Sequence, residues 1–313
     1  MSLLLQGQCP PNPGLTESEY FVDFTQQSSL PDRWVLPDYA RVDFGPNGAE
    51  FSFNQRYDAP LIWTDFYILF GRVEVVMQAA PGAGIISSVV MLSDTQDEID
   101  WEWSGNNFGD EQSNGVVQAN YFGKGITGNY DRGSSHPVDS PQSQFHTYSF
   151  DWTPDSLTWS IDGRVVRVFD AADADNADHQ YPQAPSKVNL GLWNGGDPGN
   201  APGTIEWAGG SPDISQAPFT MYVKSVRVTN TNPCAQYEYR DFSGNVESIQ
   251  CVNRDSSEPV DSSGSGGGGG GGTDGDASMP TTAASTDDDA AVTSTSMSGD
   301  GQTKIVYVRA TDC

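Results

Sequence analysis

The run Asp97-Glu98-Ile99-Asp100-Trp101-Glu102-Trp103 alternates carboxylates with large apolar side chains, and the fold is read from that alternation. Successive side chains of an extended strand point to opposite faces, so Glu98, Asp100 and Glu102 project together while Ile99, Trp101 and Trp103 face the other way. Bulky aromatic residues gathered on one side belong to a buried core. Acidic residues are poorly represented in strands, and three like charges on one face repel one another. A chain that only had to fold would not gather them, so the arrangement points to carboxyl chemistry.

The flanking sequence reads as more strands. Gly71–Gln78 and residues 86–92 alternate like core strands, separated by the turn-forming Ala79-Ala80-Pro81-Gly82-Ala83-Gly84. Val116–Phe122 fits an antiparallel neighbour of the carboxylate strand. His146–Trp152, the Thr153-Pro154-Asp155-Ser156 turn, residues 157–161, Asp162-Gly163 and residues 164–169 give three strands with two tight connections, Asp-Gly being a strong hairpin signal. Residues 187–193 and 221–229 are further buried strands, and helix signals are nearly absent. The pattern predicts an all-β domain, a β-sandwich of two antiparallel sheets with jelly-roll topology. The carboxylate strand would be central in a curved sheet bearing an open substrate cleft.

At 313 residues the chain has room for one large all-β domain or two ordinary ones, and composition favours one. Residues 255–303 hold a seven-glycine run at 266–272, no aromatic residue and neither Lys nor Arg. Such a segment buries too little apolar surface to offset the entropy of ordering it. The expected organisation is an N-terminal segment 1–19, a catalytic sandwich 20–233, a Cys-bounded extension 234–254 and a disordered Ser/Thr-rich tail 255–313, suited to O-glycosylation.

The formal net charge is −27; nine of these charges lie in the stalk and residues 304–313 carry +1, which leaves −19 on residues 1–254. That field repels nucleic acid, whose binding depends on Lys and Arg, and is indifferent to a neutral polysaccharide. Neither the cysteines (Cys9, Cys234, Cys251, Cys313) nor the histidines (His136, His146, His179) stand at metal-ligand spacing, so no metal or cofactor is expected. Cys234 and Cys251 flank a short Tyr-rich segment and are the expected disulfide, with Cys9 and Cys313 left near the ends. Leu3-Leu4-Leu5 is too short for a signal-peptide core, no run is long enough to span a membrane, and Lys304-Ile305-Val306-Tyr307-Val308-Arg309 lacks the apolar tail of a lipid-anchor signal. No export or anchor signal is expected in this sequence.

Carboxyl groups in such a row suit glycoside hydrolysis or glycosyl transfer. Four residues of flat strand span about 13 Å between Cα atoms, and two glutamates leaning together close this to the ~5 Å of a retaining pair. Leaning apart, they give the roughly 6.5–9.5 Å of an inverting pair. Crowding makes one carboxyl ionise readily and holds the proton on the next, which separates nucleophile from proton donor. Asp100 can hydrogen-bond to either glutamate, and spacing alone allows the two Glu roles to be exchanged. Two other readings fit the run: a solvent-facing strand without chemistry, and a calcium or manganese site of a lectin-type sandwich completed by Asn106 and Asn107. Trp193 opens the loop Trp193-Asn194-Gly195-Gly196-Asp197-Pro198-Gly199, and Trp207 lies in Gly203-Thr204-Ile205-Glu206-Trp207-Ala208-Gly209-Gly210. Indoles at loop mouths stack on pyranose faces, and they also seal sandwich edges; both readings stay open.

The carboxylate run resembles the Glu-x-Asp-x-Glu signature of glycoside hydrolase family 16. With Gln118-Ala119-Asn120-Tyr121-Phe122-Gly123-Lys124-Gly125, Tyr130-Asp131-Arg132-Gly133 and the two Trp-bearing segments, residues 9–251 resemble the Crh-type fungal cell-wall transglycosylases. The resemblance implies a jelly-roll sandwich with an open cleft. It implies cleavage of chitin and transfer to a β-1,3- or β-1,6-glucan or another chitin chain, with a chitinase side reaction, by a monomer whose partners are these polysaccharides. It implies Glu98 as nucleophile, Glu102 as proton donor and sugar contact, and Asp100 as the assisting carboxylate. Trp193, Thr204, Asn189 and Asn120 match substrate-binding positions, Asn189 standing where relatives often carry a basic residue. Secretion to the fungal cell wall is also implied, with a lipid anchor in many relatives. An endo-β-1,3-glucanase of the same superfamily and a non-catalytic carbohydrate-binding sandwich are the alternatives.

Overall fold

The computed structural model describes residues 11–105, 115–128, 130–174, 179–241 and 243–253, with the backbone of two short strands further on. In chain order the strands are β1 (Asn12–Pro13), β2 (Glu19–Asp23), β3 (Trp34–Val35), β4 (Asp43–Gly45), β5 (Gly48–Phe53), β6 (Leu61–Thr64), β7 (Gly71–Gln78), β8 (Gly82–Ser93), β9 (Glu98–Gly105) and β10 (Val116–Phe122). There follow β11 (Ser134–Pro137), β12 (His146–Trp152), β13 (Ser156–Ile161), β14 (Arg164–Asp170), β15 (Ser186–Asn194), β16 (Phe219–Asn230), β17 (Gln236–Tyr239), β18 (Ile249–Val252), β19 (Thr295–Met297) and β20 (Thr303–Ile305), with one short helix, α1 (Pro202–Trp207), between β15 and β16.

The strands build a jelly-roll sandwich. One antiparallel sheet runs β11-β10-β9-β8-β15-β6-β3, and the other runs β14-β13-β12-β7-β16-β5-β4 with β2 also paired to β16. A third, three-stranded sheet is β1-β17-β18, so Asn12 and Pro13 are paired with Tyr237 and Gln236. The Cys234–Cys251 disulfide closes this small sheet, with a Cα–Cα distance of 5.7 Å. Beyond residue 253 only the pairing of β19 with β20 is described. The rest of the expected stalk, with Cys9, Cys313, Asn106 and Asn107, lies outside the described residues. Among the described residues no helix is long and apolar enough to cross a membrane.

Alternation in sequence is what aligns the layers. β7 buries every second residue, placing Val73, Val75 and Met77 in the core. Ile99, Trp101 and Trp103 of β9 are fully buried between the sheets. The Trp101 ring stacks on Trp103 at 6.4 Å and on Phe150 at 6.2 Å, and Tyr148 meets Trp103 edge-on at 4.5 Å. Trp159 of the opposite sheet donates its indole N–H to the Asp100 carbonyl at 3.2 Å, which holds β9 at its middle. Burial of rings this large contributes roughly 3 kcal/mol each.

Two elements depart from the sequence reading. The turn expected at residues 79–84 ends early, because β8 already begins at Gly82, opposite Gly105, and bulges before Ile86. Gly84 sits at φ 79° inside this bulge, where a side chain would meet the Gly210 carbonyl oxygen. The segment Gly203–Gly210, read as a loop, opens with α1: Pro202 supplies the first-turn φ, and a helix this short leaves no periodic pattern to find.

Candidate active site

β9 lies between β8 and β10, and directly paired residues share a face, so the register draws rows across the carboxylate side of the sheet. Glu98 stands between Phe122 and Leu92, with Lys187 of β15 next. Asp100 stands between Asn120 and Val90, followed by Asn189 and then Trp63 of β6. Glu102 stands between Gln118 and Ser88, followed by Gly191 and Leu61. Ser104 pairs with Ile86, and Ile86 with Trp193. Phe122, Val90, Ile86 and Leu61 are buried but do not belong to the core between the sheets, and they floor this face with apolar surface. Glu98 and Glu102 are partly exposed, whereas Asp100 between them is buried.

The residue just before Glu98 is pinned from several sides. Asp97 is fully buried and accepts the backbone N–H groups of Lys124 at 2.6 Å, Gln183 at 2.6 Å and Ala184 at 2.8 Å. Its own N–H donates to Ser93 Oγ at 2.8 Å. Burial pushes the Asp97 carboxyl up to about 6, against the pull of the three donors toward the anion. Gln183 Oε1 in turn accepts the Val246 N–H at 3.0 Å, and Lys124 Nζ donates to Asn245 Oδ1. Asp97 thereby ties the disulfide-bounded extension, through two loops, to the start of β9. Sequence reasoning gave it no role; the signal was a carboxylate breaking the alternation.

A cation flanks the same end. The Arg132 guanidinium is buried over the Phe122 ring at 4.6 Å and donates to the Thr127 carbonyl; burial lowers its pKa, against the opposing pull of Tyr121, Asp131, Tyr130 and, last, Glu98. Arg167 supports it from the opposite sheet, stacked over Trp159 at 4.6 Å and donating to the carbonyls of Ala119 and Arg132. Arg132 was visible only inside a family-like motif.

The expected sugar-binding positions fall around these rows. Asn120 Oδ1 accepts the Tyr121 N–H at 2.9 Å. Asn189 is buried and its amide nitrogen donates to the Lys187 carbonyl at 3.1 Å and, at 3.4 Å, to that of Val90. Thr204 is buried in the first turn of α1. Trp207 closes that helix, with its ring stacked on Trp193 at 5.9 Å and 23° and its indole N–H donating to Gln118 Oε1 at 2.7 Å. Trp207 therefore walls the carboxylate face beside Glu102, and Gln118, which sequence reasoning assigned no role, is its anchor. The helix end is held in turn by Ser104 Oγ and Gly84 N, both donating to the Ala208 carbonyl at 2.8 Å. Among the described residues no group of three His, Cys, Asp or Glu side chains is arranged to hold a metal ion.

Residues 35–209 match the family model of glycosyl hydrolases family 16, and the chain belongs to that family. Within it the chain is of the Crh type. It is 53% identical over 246 residues to Crh-like protein 5 of Aspergillus fumigatus, covering 79% of this chain and 60% of that one. Crh-like protein 1 of the same fungus is 50% identical over 257 residues, covering 82% and 69%. The chain thus spans about two thirds or less of the length of such relatives. A solved Crh5 transglycosylase in complex with NAG superposes with a TM-score of 0.74 at 50% identity, over 80% of this chain and all of that one. A Bacillus licheniformis β-glucanase, with a TM-score of 0.56 at 24% identity over 69% of this chain and 99% of that one, shares the fold.

Proposed function

We propose that this chain is a retaining transglycosylase that cuts a chitin chain through a covalent glycosyl-enzyme. It passes the captured chain to a β-glucan or chitin acceptor, cross-linking the polymers of the fungal wall outside the cell, and it acts as a monomer with hydrolysis as a side reaction. The observation that carries this reading is the placement of Glu98, Asp100 and Glu102 at alternate positions of a central strand whose other face is locked into the core.

In the first step a Glu98 carboxylate oxygen attacks the anomeric carbon, the glycosidic C–O bond breaks, and the Glu102 proton goes to the departing oxygen. In the second, Glu102 takes the proton of an incoming hydroxyl, whose oxygen displaces Glu98 from the sugar. Arg132, buried over the ring of Phe122, the strand partner of Glu98, puts a cation at that end of the row, which supports Glu98 as the group that attacks as an anion. Asp100, between the two, is placed to steady whichever glutamate carries charge. The Trp193–Trp207 pair offers an aromatic wall to a pyranose, with Thr204, Asn120 and Asn189 as polar partners. Transfer outruns hydrolysis when a bound acceptor hydroxyl is held in line while water is not.

Glu98→Gln and Glu102→Gln test the assignment with chito-oligosaccharide donors and labelled laminari-oligosaccharide acceptors, products being read by mass spectrometry. Transfer is expected to fall on the order of 10³-fold or more in each variant with an unchanged melting transition. Undiminished transfer in either refutes it, and a binding sandwich without catalysis would retain polysaccharide and yield no product with any variant.

A further inference from the structure

The pairing of β6 with β15 ends at Leu61 opposite Gly191, yet the two chains stay together past it. The Leu192 N–H donates to the Pro60 carbonyl at 3.0 Å, just before Trp193. Beyond Trp193 the chains meet again, where Arg56 Nε donates to Asp197 Oδ2 at 2.7 Å and Nη2 to Oδ1 at 2.8 Å. Trp193 is thereby bracketed by two ties to one neighbouring segment, residues 54–60. Both ends of the outer tie sit in shaped turns. Asp58 Oδ2 accepts the N–H groups of Asn54 at 2.8 Å and Gln55 at 3.1 Å, and the Asp58 N–H closes back on the Gln55 carbonyl, which puts Arg56 and Tyr57 at the tip. The guanidinium lies 4.7 Å from the centre of the Tyr57 ring. Asp197 Oδ1 also accepts the Gly199 N–H at 2.8 Å, and the Arg56 bonds hold the Asp197 carboxyl below the usual carboxylate range. On its other side the loop is fastened by backbone: the Gly196 N–H donates to the Gly84 carbonyl at 3.0 Å, and Ser211 Oγ to the Gly196 carbonyl at 2.9 Å. A half-exposed ion pair adds little to stability, but two parallel bonds from a planar guanidinium fix direction well. The fork is suited to setting where the loop stands, not whether the domain folds.

We infer that Arg56 is a positioning residue for the transfer reaction: its fork to Asp197 holds the loop after β15 so that Trp193 stands stacked on Trp207 before any sugar arrives. The inference rests on the transglycosylase reading above, in which this indole pair meets a pyranose. Without the fork the loop must be ordered during binding, which weakens affinity. The carboxylates of β9 are not touched, so the chemical step with sugar bound should change little. A neutral oligosaccharide brings no charge of its own. Salt therefore acts on its binding by screening the protein's own pairs, and the part due to this fork vanishes when Arg56 is replaced.

The test compares wild type with Arg56→Gln, Arg56→Lys, Asp197→Asn and the double variant Arg56→Gln with Asp197→Asn, using a chito-oligosaccharide and a labelled laminari-oligosaccharide at about 0.05 and about 1 M sodium chloride. Arg56→Gln is expected to raise KM for the chito-oligosaccharide about fivefold with kcat within about twofold, and to melt within a few degrees of wild type. Arg56→Lys, which keeps the charge without the fork, should fall between. The double variant should lose no more than Arg56→Gln alone, because both substitutions remove one contact. Wild-type KM should rise at high salt toward that of Arg56→Gln, whose own KM stays flat. An unchanged KM, losses that add in the double variant, equal salt dependence in wild type and Arg56→Gln, or a loss confined to kcat overturns the inference. Calorimetry of the same chito-oligosaccharide with the inactive Glu98→Gln form, with and without Arg56→Gln, reads affinity without turnover. A wild type that transfers no chitin therefore defeats the functional reading alone, and the calorimetry still decides Arg56: weaker binding in the Arg56→Gln form supports its role, and equal binding or no binding defeats it.

Discussion

Asp97 shows how much of the carboxylate strand can depend on a side chain that is itself fully buried. Its carboxyl sits at about 6, above its ordinary 3.8, because burial outweighs three backbone donors. Between these values the folded chain holds a proton that the unfolded chain has released. The stability this group contributes is complete below about pH 4 and is lost as pH rises through 6, a change of about 3 kcal/mol. Asp97→Asn does not titrate, so wild-type stability measured against it by urea unfolding should fall by about that amount between pH 3.5 and 7. A difference that stays constant over this range would refute the assignment. The slope opposes the usual acid sensitivity of a protein rich in carboxylates, which makes it separable.

At the scale of elements, what could be read from sequence was what depends on alternation. β7, β10 and β12 begin and end where the apolar and polar residues stop alternating, and Trp101 and Trp103 face the core for the same reason. The early start of β8 and the helix α1 were not legible, because β8 starts where Gly82 pairs with Gly105 across a bulge and α1 is too short to leave a period, and the bond that joins the two, from Gly84 N to the Ala208 carbonyl, spans more than a hundred residues. Trp207 was ambiguous for a related cause: it ends α1, and its partner Gln118 sits far away in sequence on β10. Arg132, buried on the rings of Tyr121 and Phe122, carries no spacing signal at all.

The loop after β15 depends on such a close approach. A Cβ on Gly196 would run into the Gly210 carbonyl oxygen and stand 2.9 Å from Gly84 Cα. Gly196→Ala must therefore push the Trp193 loop away from the β8 bulge. It is expected to cost about 2 kcal/mol by thermal or denaturant unfolding and to raise KM for the donor several-fold with a smaller change in kcat. An unchanged KM would detach this loop from sugar binding.

For the whole molecule, the disulfide between Cys234 and Cys251 closes a loop of 17 residues in sequence separation, and a cross-link of that size contributes about 3 kcal/mol by restricting the unfolded chain. Replacing both cysteines by serine should lower stability by about that amount in denaturant titrations. It should also slow transfer, since Asn245 and Val246 inside the loop brace the segments that hold Asp97. Loss of stability with transfer intact at a temperature where the variant stays folded would confine the extension to a purely structural role.

The seven residues from Asp97 to Trp103 have no half-right arrangement. Displaced by one position along β8 and β10, the strand would drive its anions into the interior and turn two indoles out to water. Evolution cannot therefore trade foldability against turnover at this strand. Substitutions that loosen its pairing should cost activity and solubility together, and a misregistered copy is lost from the active pool altogether.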